Sequence, residues 1–327
     1  MKTVRIGIIG AGNMARKHLA VIQALDNAEA VGITSRTMSK AHDVAKEFTI
    51  SICVSSPEEL VKKAQPDALM VLVSENQMTK VVQNVLSFRR PLFIEKPAGL
   101  TLDDNTMLAE EADKKGVPTM VGFNRRYYSI YKKGIDIINQ HGPLLGLAIE
   151  GHERMWRIRD GGKFSEHVME QWLYANSTHT IDLLRYFGGN ISQIHSFARS
   201  IKEKKGDQFV AAVAFENGAI GTYQANWYSP GGWKVLLYGD GVTVEYKPLE
   251  SGRWIDKKFN IHEIKPDEID INFKPGLYRQ LEAFTFLVRD NKKDDTMLDL
   301  KGSCKTMQLA QHLSSNVLPI SPIPTVV

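Results

Sequence analysis

The feature that most constrains the fold of this chain is the alternation of apolar runs with helical patterns through its first third. The apolar runs are nearly continuous, as strands covered on both faces are, and they occupy residues 4–10, 28–34, 68–74, 91–95 and 119–123. Amphipathic patterns typical of helices lie between them, among them residues 13–25, 39–48 and 102–116. Because strands that alternate with helices form parallel sheets, we predict a doubly wound α/β domain over residues 1–123.

The rest of the chain, residues 124–327, follows a different pattern and is predicted to form a second domain. Its long runs are broken by "ENGA" and "GDGV", whose glycines take the positive φ angles of tight turns. We predict a mostly antiparallel sheet with strands within residues 144–156, 191–201, 209–227 and 233–246. Helices are expected over residues 174–187, against one face of that sheet, and over 276–290 and 300–315.

Composition excludes several classes of protein. A net charge of +4 over 327 residues is too small and too scattered for a nucleic-acid partner. No apolar run approaches the roughly 20 residues that span a bilayer, so no membrane partner is expected. Two cysteines far apart in sequence, Cys53 and Cys304, suit a reducing, cytoplasmic location rather than a disulfide framework. The nine histidines and two cysteines show no metal-ligand spacing, so we expect no metal.

The first strand runs directly into a glycine turn, "GAGNMA", that is typical of dinucleotide binding. Gly10 permits the sharp turn, and Gly12 lets the backbone approach a pyrophosphate. The helix that begins at Asn13 and Met14 presents its positive end to that group, and Ala15 lets helix and strand pack closely. A bare glycine turn is weak evidence, but its place at the first strand–helix junction strengthens the prediction of a cofactor site.

The residues after the second strand indicate which cofactor is bound. Chains that bind NAD carry an acidic residue here for the ribose 2′-hydroxyl, whereas this chain has "TSRT" with no carboxylate. Ser35 and Arg36 suit a 2′-phosphate instead, because a guanidinium pairs with phosphate and stacks on adenine. We therefore favour NADP(H) over NAD(H); the alternative is that Arg36 is an ordinary solvated loop residue.

The fifth strand leads into "EKP". Pro97 disfavours helical backbone at Lys96, which should stay extended at the carboxyl end of a parallel strand, where ligands of open α/β sheets bind. An ammonium there can orient a substrate hydroxyl and stabilise alkoxide charge. Taken alone, a Lys-Pro pair after a strand is more often an ordinary entry into a loop.

Five motifs follow one another along the chain: the glycine turn at residues 10–15, "EKP" (95–97), "VGFNRRYY" (121–128), "GPLLG" (142–146) and "HTID" (179–182). Each is weak alone, but the ordered set, which covers essentially the whole chain, resembles the glucose–fructose oxidoreductase / inositol dehydrogenase (Gfo/Idh/MocA) family. The resemblance implies an N-terminal Rossmann domain, a C-terminal α/β domain with a large open sheet, and C-terminal helices that pack back on the first domain. It also implies NAD(P)-dependent oxidation or reduction at a secondary hydroxyl of a sugar, cyclitol or activated sugar.

The resemblance also implies a role for individual residues. Lys96 orients the substrate and relays a proton, Glu95 lies beside the nicotinamide ribose, and the Lys96–Pro97 peptide bond is expected to be cis. His179 takes or gives the hydroxyl proton, and Asp182 supports it from the next helical turn. The cofactor site that we predict comprises Gly10, Gly12, Asn13, Met14, Ser35, Arg36, Ser74, Asn76, Glu95 and Lys96.

Three positions depart from the family pattern. Ala175 stands four residues before His179, where the family often has a carboxylate that faces the substrate. Glu75 and Thr79 replace a proline and a histidine after the fourth strand. The change at residue 175 affects the identity of the substrate more than the chemistry, and the side chains that could take over its role are Asn176, Glu170 and Tyr128.

His179 is expected in the first turn of a helix that is capped by Asn176 or Ser177. The positive end of the helix dipole disfavours imidazolium there, and a neutral imidazole is what a general base needs. Asp182, three residues later, is expected to contact His179 or its surroundings. A lone histidine on a helix is more often structural, but the other motifs reverse that expectation.

Further substrate contacts are predicted from charged and aromatic side chains. Arg157 and Arg159 would share one face of a strand and meet an acidic or nucleotide-linked sugar, although an exposed sheet edge explains them equally well. Arg125 and Tyr128 begin the second domain and are expected to line the cleft.

Two other functions are compatible with this pattern. A non-catalytic regulator that senses a dinucleotide is one, although it need not keep both Lys96 and His179. A glycosidase that holds its cofactor tightly is the other. Because the open sheet of the family commonly packs against a partner, we expect a homodimer or homotetramer that acts on a small, carbohydrate-like molecule.

Overall fold

A computed structural model describes residues 3–318 of the chain. The chain divides by its contacts into two units. The first comprises the chain up to Ser129 together with Pro266–Lys305, and the second comprises Ile130–Lys265 together with the chain from Thr306 onward. The first unit therefore continues six residues beyond the predicted boundary at residue 123 and also takes in a later segment of the chain.

Fourteen strands are present in the described part of the chain. In chain order they are β1 Val4–Ile9, β2 Ala28–Thr34, β3 Cys53–Val54, β4 Ala68–Val71, β5 Leu92–Ile94, β6 Thr119–Val121, β7 Gly146–Gly151, β8 Ile191–Arg199, β9 Gln208–Phe215, β10 Ile220–Asn226, β11 Trp233–Gly239, β12 Val242–Tyr246, β13 Gly252–Asp256 and β14 Ile261–Ile264.

Twelve α-helices are described over the same residues, 3–318. In chain order they are α1 Asn13–Ala24, α2 Met38–Glu47, α3 Pro57–Ala64, α4 Glu75–Val85, α5 Leu102–Lys115, α6 Ser129–Gln140, α7 Met155–Asp160, α8 Glu166–Glu170, α9 Thr178–Gly188, α10 Glu268–Asn272, α11 Leu277–Asp290 and α12 Leu300–Ser315. None of the helices in this part of the chain combines the length and apolar character needed to cross a membrane.

The first unit is built on a six-stranded parallel sheet in the order β3-β2-β1-β4-β5-β6, which confirms the predicted doubly wound fold. Its strands are apolar on both faces because a hydrophobic core covers each face. Neighbouring residues of β4 show this: Leu69 packs into one core, Met70 packs into the other, and both are fully buried.

The second unit contains an eight-stranded sheet in the order β14-β13-β12-β11-β7-β10-β9-β8. Only the β7–β10 pair is parallel among the strands paired here, which confirms the prediction of a mostly antiparallel sheet. Helix α9 packs on β7 and β10. Along β9 and β10, buried and exposed residues alternate, so one face of the sheet is covered and the other is open.

The predicted strand over residues 144–156 is wrong beyond Gly151. Strand β7 ends there, and helix α7 begins at Met155. The sequence offers no break between these elements because "MWRIRD" has apolar residues at a spacing that both a strand and a short helix can use.

Candidate active site

The turn after β1 requires glycine at Gly10 and leaves open space beside Gly12. Gly10 has φ of +117°, and a Cβ atom there would lie 2.3 Å from the carbonyl oxygen of Leu72. Gly12 precedes α1 as its N-cap and has no atoms within 4 Å of the position of a Cβ atom. No side chain caps the first N–H groups of α1, so these donors and the open space beside Gly12 fit a phosphate group.

A pocket of about 360 Å³ opens at this turn, within the first unit. Its volume falls in the range of about 300–1,000 Å³ typical of small-molecule sites. Five of the predicted cofactor residues line it, namely Gly10, Gly12, Ser35, Arg36 and Ser74. Its other polar residues include Thr34 and Thr37 of the "TSRT" segment and three that the sequence did not single out, namely Lys40, Ser55 and Gln77.

The other predicted cofactor residues lie close to that pocket in sequence. Asn13 and Met14 begin α1, and the Met14 sulfur accepts a hydrogen bond from Lys274 Nζ at 3.7 Å. Asn76 lies in the first turn of α4, where its Oδ1 accepts a hydrogen bond from the Ser74 hydroxyl at 2.8 Å.

Arg36 and Lys40 are exposed cations at the pocket. Among the described residues 3–318, neither has a side chain in an ion pair, whereas Arg16 of the same unit pairs with Glu47 at 2.8 Å. Two cations that are not neutralised by neighbouring carboxylates make this end of the pocket suitable for an additional anionic group.

Lys96 lies two residues beyond the end of β5 and is followed by a cis peptide bond to Pro97, as predicted. Burial of the ammonium group lowers the pKa of Lys96 to about 8. Glu95, the second largest influence on this pKa, raises it; Arg125 and Lys274 lower it further, and Glu75 raises it. Lys96 can therefore exchange a proton near neutral pH, which an ordinary lysine cannot.

His179 lies in the second unit, in the first turn of α9, and is largely buried at 7% exposure. Its ring lies 6.0 Å from the ring of Trp233, at an angle of 54°. The predicted helix cap is wrong: a π-helical turn, Leu173–Ser177, runs directly into α9, and Ser177 has helical backbone with no capping hydrogen bond. Because the preceding turn is helical, His179 does not lie at the free N-terminus of a helix, and the predicted effect of a helix dipole on its imidazole is not supported.

The side chains expected to cap α9 bind a carboxylate instead. Asn176 Nδ2 and Ser177 Oγ both donate to Glu153 Oε1, at 2.9 and 3.2 Å. Glu153 follows β7 and is only 6% exposed. This buried carboxylate, which the sequence analysis did not single out, fixes the helical turn that contains Ala175, the position where a carboxylate was expected.

Asp182 anchors α9 to α12 within the second unit. It is 1% exposed, and its Oδ1 accepts a hydrogen bond from the Thr306 hydroxyl at 2.8 Å. Arg185 donates to the same hydroxyl oxygen at 2.9 Å. The hydrogen bond with Thr306 indicates a structural role for Asp182, in addition to the predicted support of His179.

Two predicted arginines lie on a helix, so their assignment to one strand face is wrong. Arg157 and Arg159 belong to α7; Arg157 is exposed, whereas Arg159 forms ion pairs with Glu203 and, at 3.2 Å, with Glu166. Residues two apart on a helix do not share a face, and the ion pairs give Arg159 a structural explanation.

The remaining candidates differ in accessibility. Arg125 is partly exposed and acts electrostatically on Lys96. Tyr128 is 2% exposed. Glu170 ends α8 and lies 3.6 Å from Lys204 Nζ.

Comparisons with known proteins agree with the fold of the two sheets. The sequence profile described as "Oxidoreductase family, NAD-binding Rossmann fold" of the GFO/IDH/MocA group matches residues 4–123, and that of the "GFO/IDH/MocA C-terminal domain" matches residues 148–245. A myo-inositol 2-dehydrogenase of Thermotoga maritima is 28% identical over 230 residues, 67% of each chain. A scyllo-inositol 2-dehydrogenase (NAD(+)) of Bacillus subtilis is 25% identical over 88% of this chain and 87% of its own.

The fold is also similar to that of solved structures. An oxidoreductase of Thermotoga maritima superimposes with a TM-score of 0.79 over 96% of each chain, at 18% sequence identity.

Proposed function

The chain belongs to the Gfo/Idh/MocA family of oxidoreductases, and from that premise we propose that it is an NADP(H)-dependent dehydrogenase. Its substrate is a secondary hydroxyl, or the corresponding ketone, of a sugar, cyclitol or activated sugar. The observation that carries the proposal is Lys96, a lysine after the fifth parallel strand whose pKa of about 8 suits proton transfer.

The first unit supplies the proposed cofactor site. The bare backbone of Gly10 and Gly12 and the uncapped start of α1 would hold the pyrophosphate. When bound, the nicotinamide supplies hydride transfer to or from the substrate carbon. Arg36 and Lys40 would hold a 2′-phosphate, which is why we favour NADP(H), although the Bacillus subtilis relative is named for NAD(+).

Two side chains are proposed to handle the proton of the substrate hydroxyl. Lys96 orients the hydroxyl and can relay its proton, because with a pKa of about 8 both the ammonium and the amine form are populated near that pH. His179 serves as acid and base, since an imidazole can both accept and donate a proton. Glu153 holds the turn before His179 through Asn176 and Ser177 and thereby keeps the imidazole in position.

The open face of the second sheet supports a homo-oligomer. Several large apolar side chains are exposed on its strands, among them Phe197, Val210 and Ile220, which are 48%, 45% and 69% exposed. Large apolar side chains that are exposed on one face of a sheet favour a protein interface there. We therefore place a second copy of the chain on this face.

The test of the proposed function is to replace Lys96 and His179 by alanine, singly and together. NADPH binding should stay near wild type, while turnover with myo-inositol, scyllo-inositol, sugar phosphates and nucleotide sugars should fall by at least about 100-fold, the usual contribution of a general acid–base group. The double variant should be little worse than either single one, because the two residues serve one proton transfer. Lys80→Ala and His141→Ala, at exposed positions of the two units, are the matched controls.

Near wild-type turnover in both single variants would refute the catalytic assignment. Tight cofactor binding by the wild-type protein without turnover on any compound of the panel would instead favour the regulator.

A further inference from the structure

A histidine outside the proposed catalytic residues is buried against Glu95, the residue that precedes Lys96 in the chain. His18 lies in α1, one turn beyond the glycine turn, and has no solvent exposure. Its ring packs edge-on against Phe93 of β5, with centroids 5.1 Å apart. Its Nε2 lies 3.4 Å from Oε2 of Glu95, the residue that precedes Lys96. Burying an imidazole costs free energy that an apolar side chain of similar size would avoid, so this contact needs an explanation.

The position of the proton on His18 follows from its surroundings. Within residues 3–318, Nδ1 has no hydrogen-bond partner. A proton on Nδ1 would bury an unpaired donor and would leave two acceptors facing each other across the contact with Glu95. The tautomer that avoids both costs carries its proton on Nε2 and donates it to the Glu95 carboxylate.

The backbone of Gly122 confines the same carboxylate. A Cβ atom on Gly122, which follows β6, would lie 2.6 Å from Glu95 Oε2 and 3.3 Å from the Glu95 Cα atom. Any larger residue would therefore push the carboxylate away from its present position. The Glu95 carboxylate therefore accepts a hydrogen bond from His18 and occupies space that only a glycine at position 122 leaves open.

The position of the Glu95 carboxylate affects the electrostatic environment of Lys96, the next residue in the chain. The charged groups that act on Lys96 are Glu95, Arg125, Glu75 and Lys274, in decreasing order, and Glu95 is the negative charge with the largest effect. We infer that His18 is a positioning residue that holds the Glu95 carboxylate where it acts on Lys96; this inference rests on the proposed catalytic role of Lys96.

The experiment measures the titration of Lys96 directly in the full-length protein. Reductive methylation with ¹³C-formaldehyde labels lysines for NMR, and the Lys96→Arg variant identifies the Lys96 signal. His18→Leu removes the donor, His18→Gln keeps an N–H of similar reach, and Gly122→Ala displaces the carboxylate. Ile22→Val, a core substitution in the same helix, is the control for general destabilisation.

We expect His18→Leu and Gly122→Ala to lower the titration midpoint of Lys96 by about one pH unit. Coulomb's law gives a shift of this size for moving a unit charge away by about 2 Å at a protein-like dielectric constant. His18→Gln and Ile22→Val should titrate like wild type. The pH midpoint through which kcat/KM rises for hydroxyl oxidation and falls for ketone reduction should move with the NMR midpoint.

An unchanged Lys96 midpoint in folded His18→Leu, or an equal shift in His18→Gln, would overturn the inference. If His18→Leu does not fold, His18→Asn, whose amide is too short to reach Glu95, takes its place, and an unchanged midpoint there would overturn the inference equally. The titration is independent of turnover. A shifted midpoint together with full activity of Lys96→Ala would support His18 as a positioning residue and refute the proposed function.

Discussion

The proposed preference for NADP(H) rests on two exposed cations and can be tested by removing them. Arg36 and Lys40 line the cofactor pocket, and within residues 3–318 no carboxylate forms an ion pair with either. Replacing each by alanine should weaken NADPH binding and leave NADH binding unchanged, because NADH has no 2′-phosphate for them to hold.

The size of the effect follows from the exposure of both side chains. A hydrogen bond to a charged group contributes about 1.5–3 kcal/mol, and an exposed ion pair contributes about 1 kcal/mol or less. Arg36, which can bind a phosphate through two N–H groups, should therefore contribute about 1.5 kcal/mol, or about tenfold in Kd. Lys40, a point charge on a flexible stem, should contribute about three- to fivefold, so the double variant should lose about 30- to 50-fold in Kd.

The assay is a fluorescence titration of NADPH and of NADH at low and at high salt. Lys46→Ala removes the same charge from the far end of α2 and serves as the matched control. The NADPH preference should shrink at about 1 M salt, where the Debye length is only about 3 Å. A wild-type protein that binds NADH more tightly, or a double variant that loses both cofactors equally, would refute the role of these residues.

Three further predictions follow from the geometry. The pKa of Lys96 is about 8, so hydroxyl oxidation, which needs the amine, should speed up as the pH rises through about 8. Ketone reduction, which needs the ammonium, should slow down over the same range. Lys96→Ala should abolish the pH dependence of both rates. Glu153→Ala should lower the unfolding free energy by about 1–3 kcal/mol, because it leaves the buried Ser177 hydroxyl and the half-buried Asn176 amide without this acceptor. The kcat should fall while the Kd for NADPH is retained, and unchanged thermal stability and kcat would contradict this. Ile220→Lys on the open sheet face should reduce the molar mass measured by light scattering. Phe259→Lys, at an 85% exposed position outside that face, should leave the mass unchanged. Equal masses for both variants and the wild type would exclude this face as the interface.

The first unit could be predicted in detail because its signals are local. Strand β2 occupies the predicted residues, and β1 and helix α1 end within one residue of the predicted positions. Parallel strands that are buried on both faces are continuously apolar, so each of these elements is readable from its own residues. The glycine turn is equally local, since only glycine tolerates the φ angle and the close backbone approach at Gly10.

Elements whose form depends on distant residues could not be predicted in this way. The short helix at Arg157 and Arg159 resembles a strand in sequence, and it is held by Glu203, 44 residues further along the chain. The π-helical turn before His179 has no sequence signal of its own, because a carboxylate from the end of another element binds its polar side chains.

The sequence by itself determined the two kinds of sheet and the cofactor turn, because each follows from residue type and order. Its resemblance to the family supplied the two residues proposed to handle the proton. Only the tertiary structure decided which partners those residues have. It placed Glu153 against Asn176 and Ser177, Thr306 against Asp182, and His18 and Gly122 around Glu95. The physical reason is that electrostatic and hydrogen-bond effects depend on distance in space, which the fold sets between residues far apart in the chain.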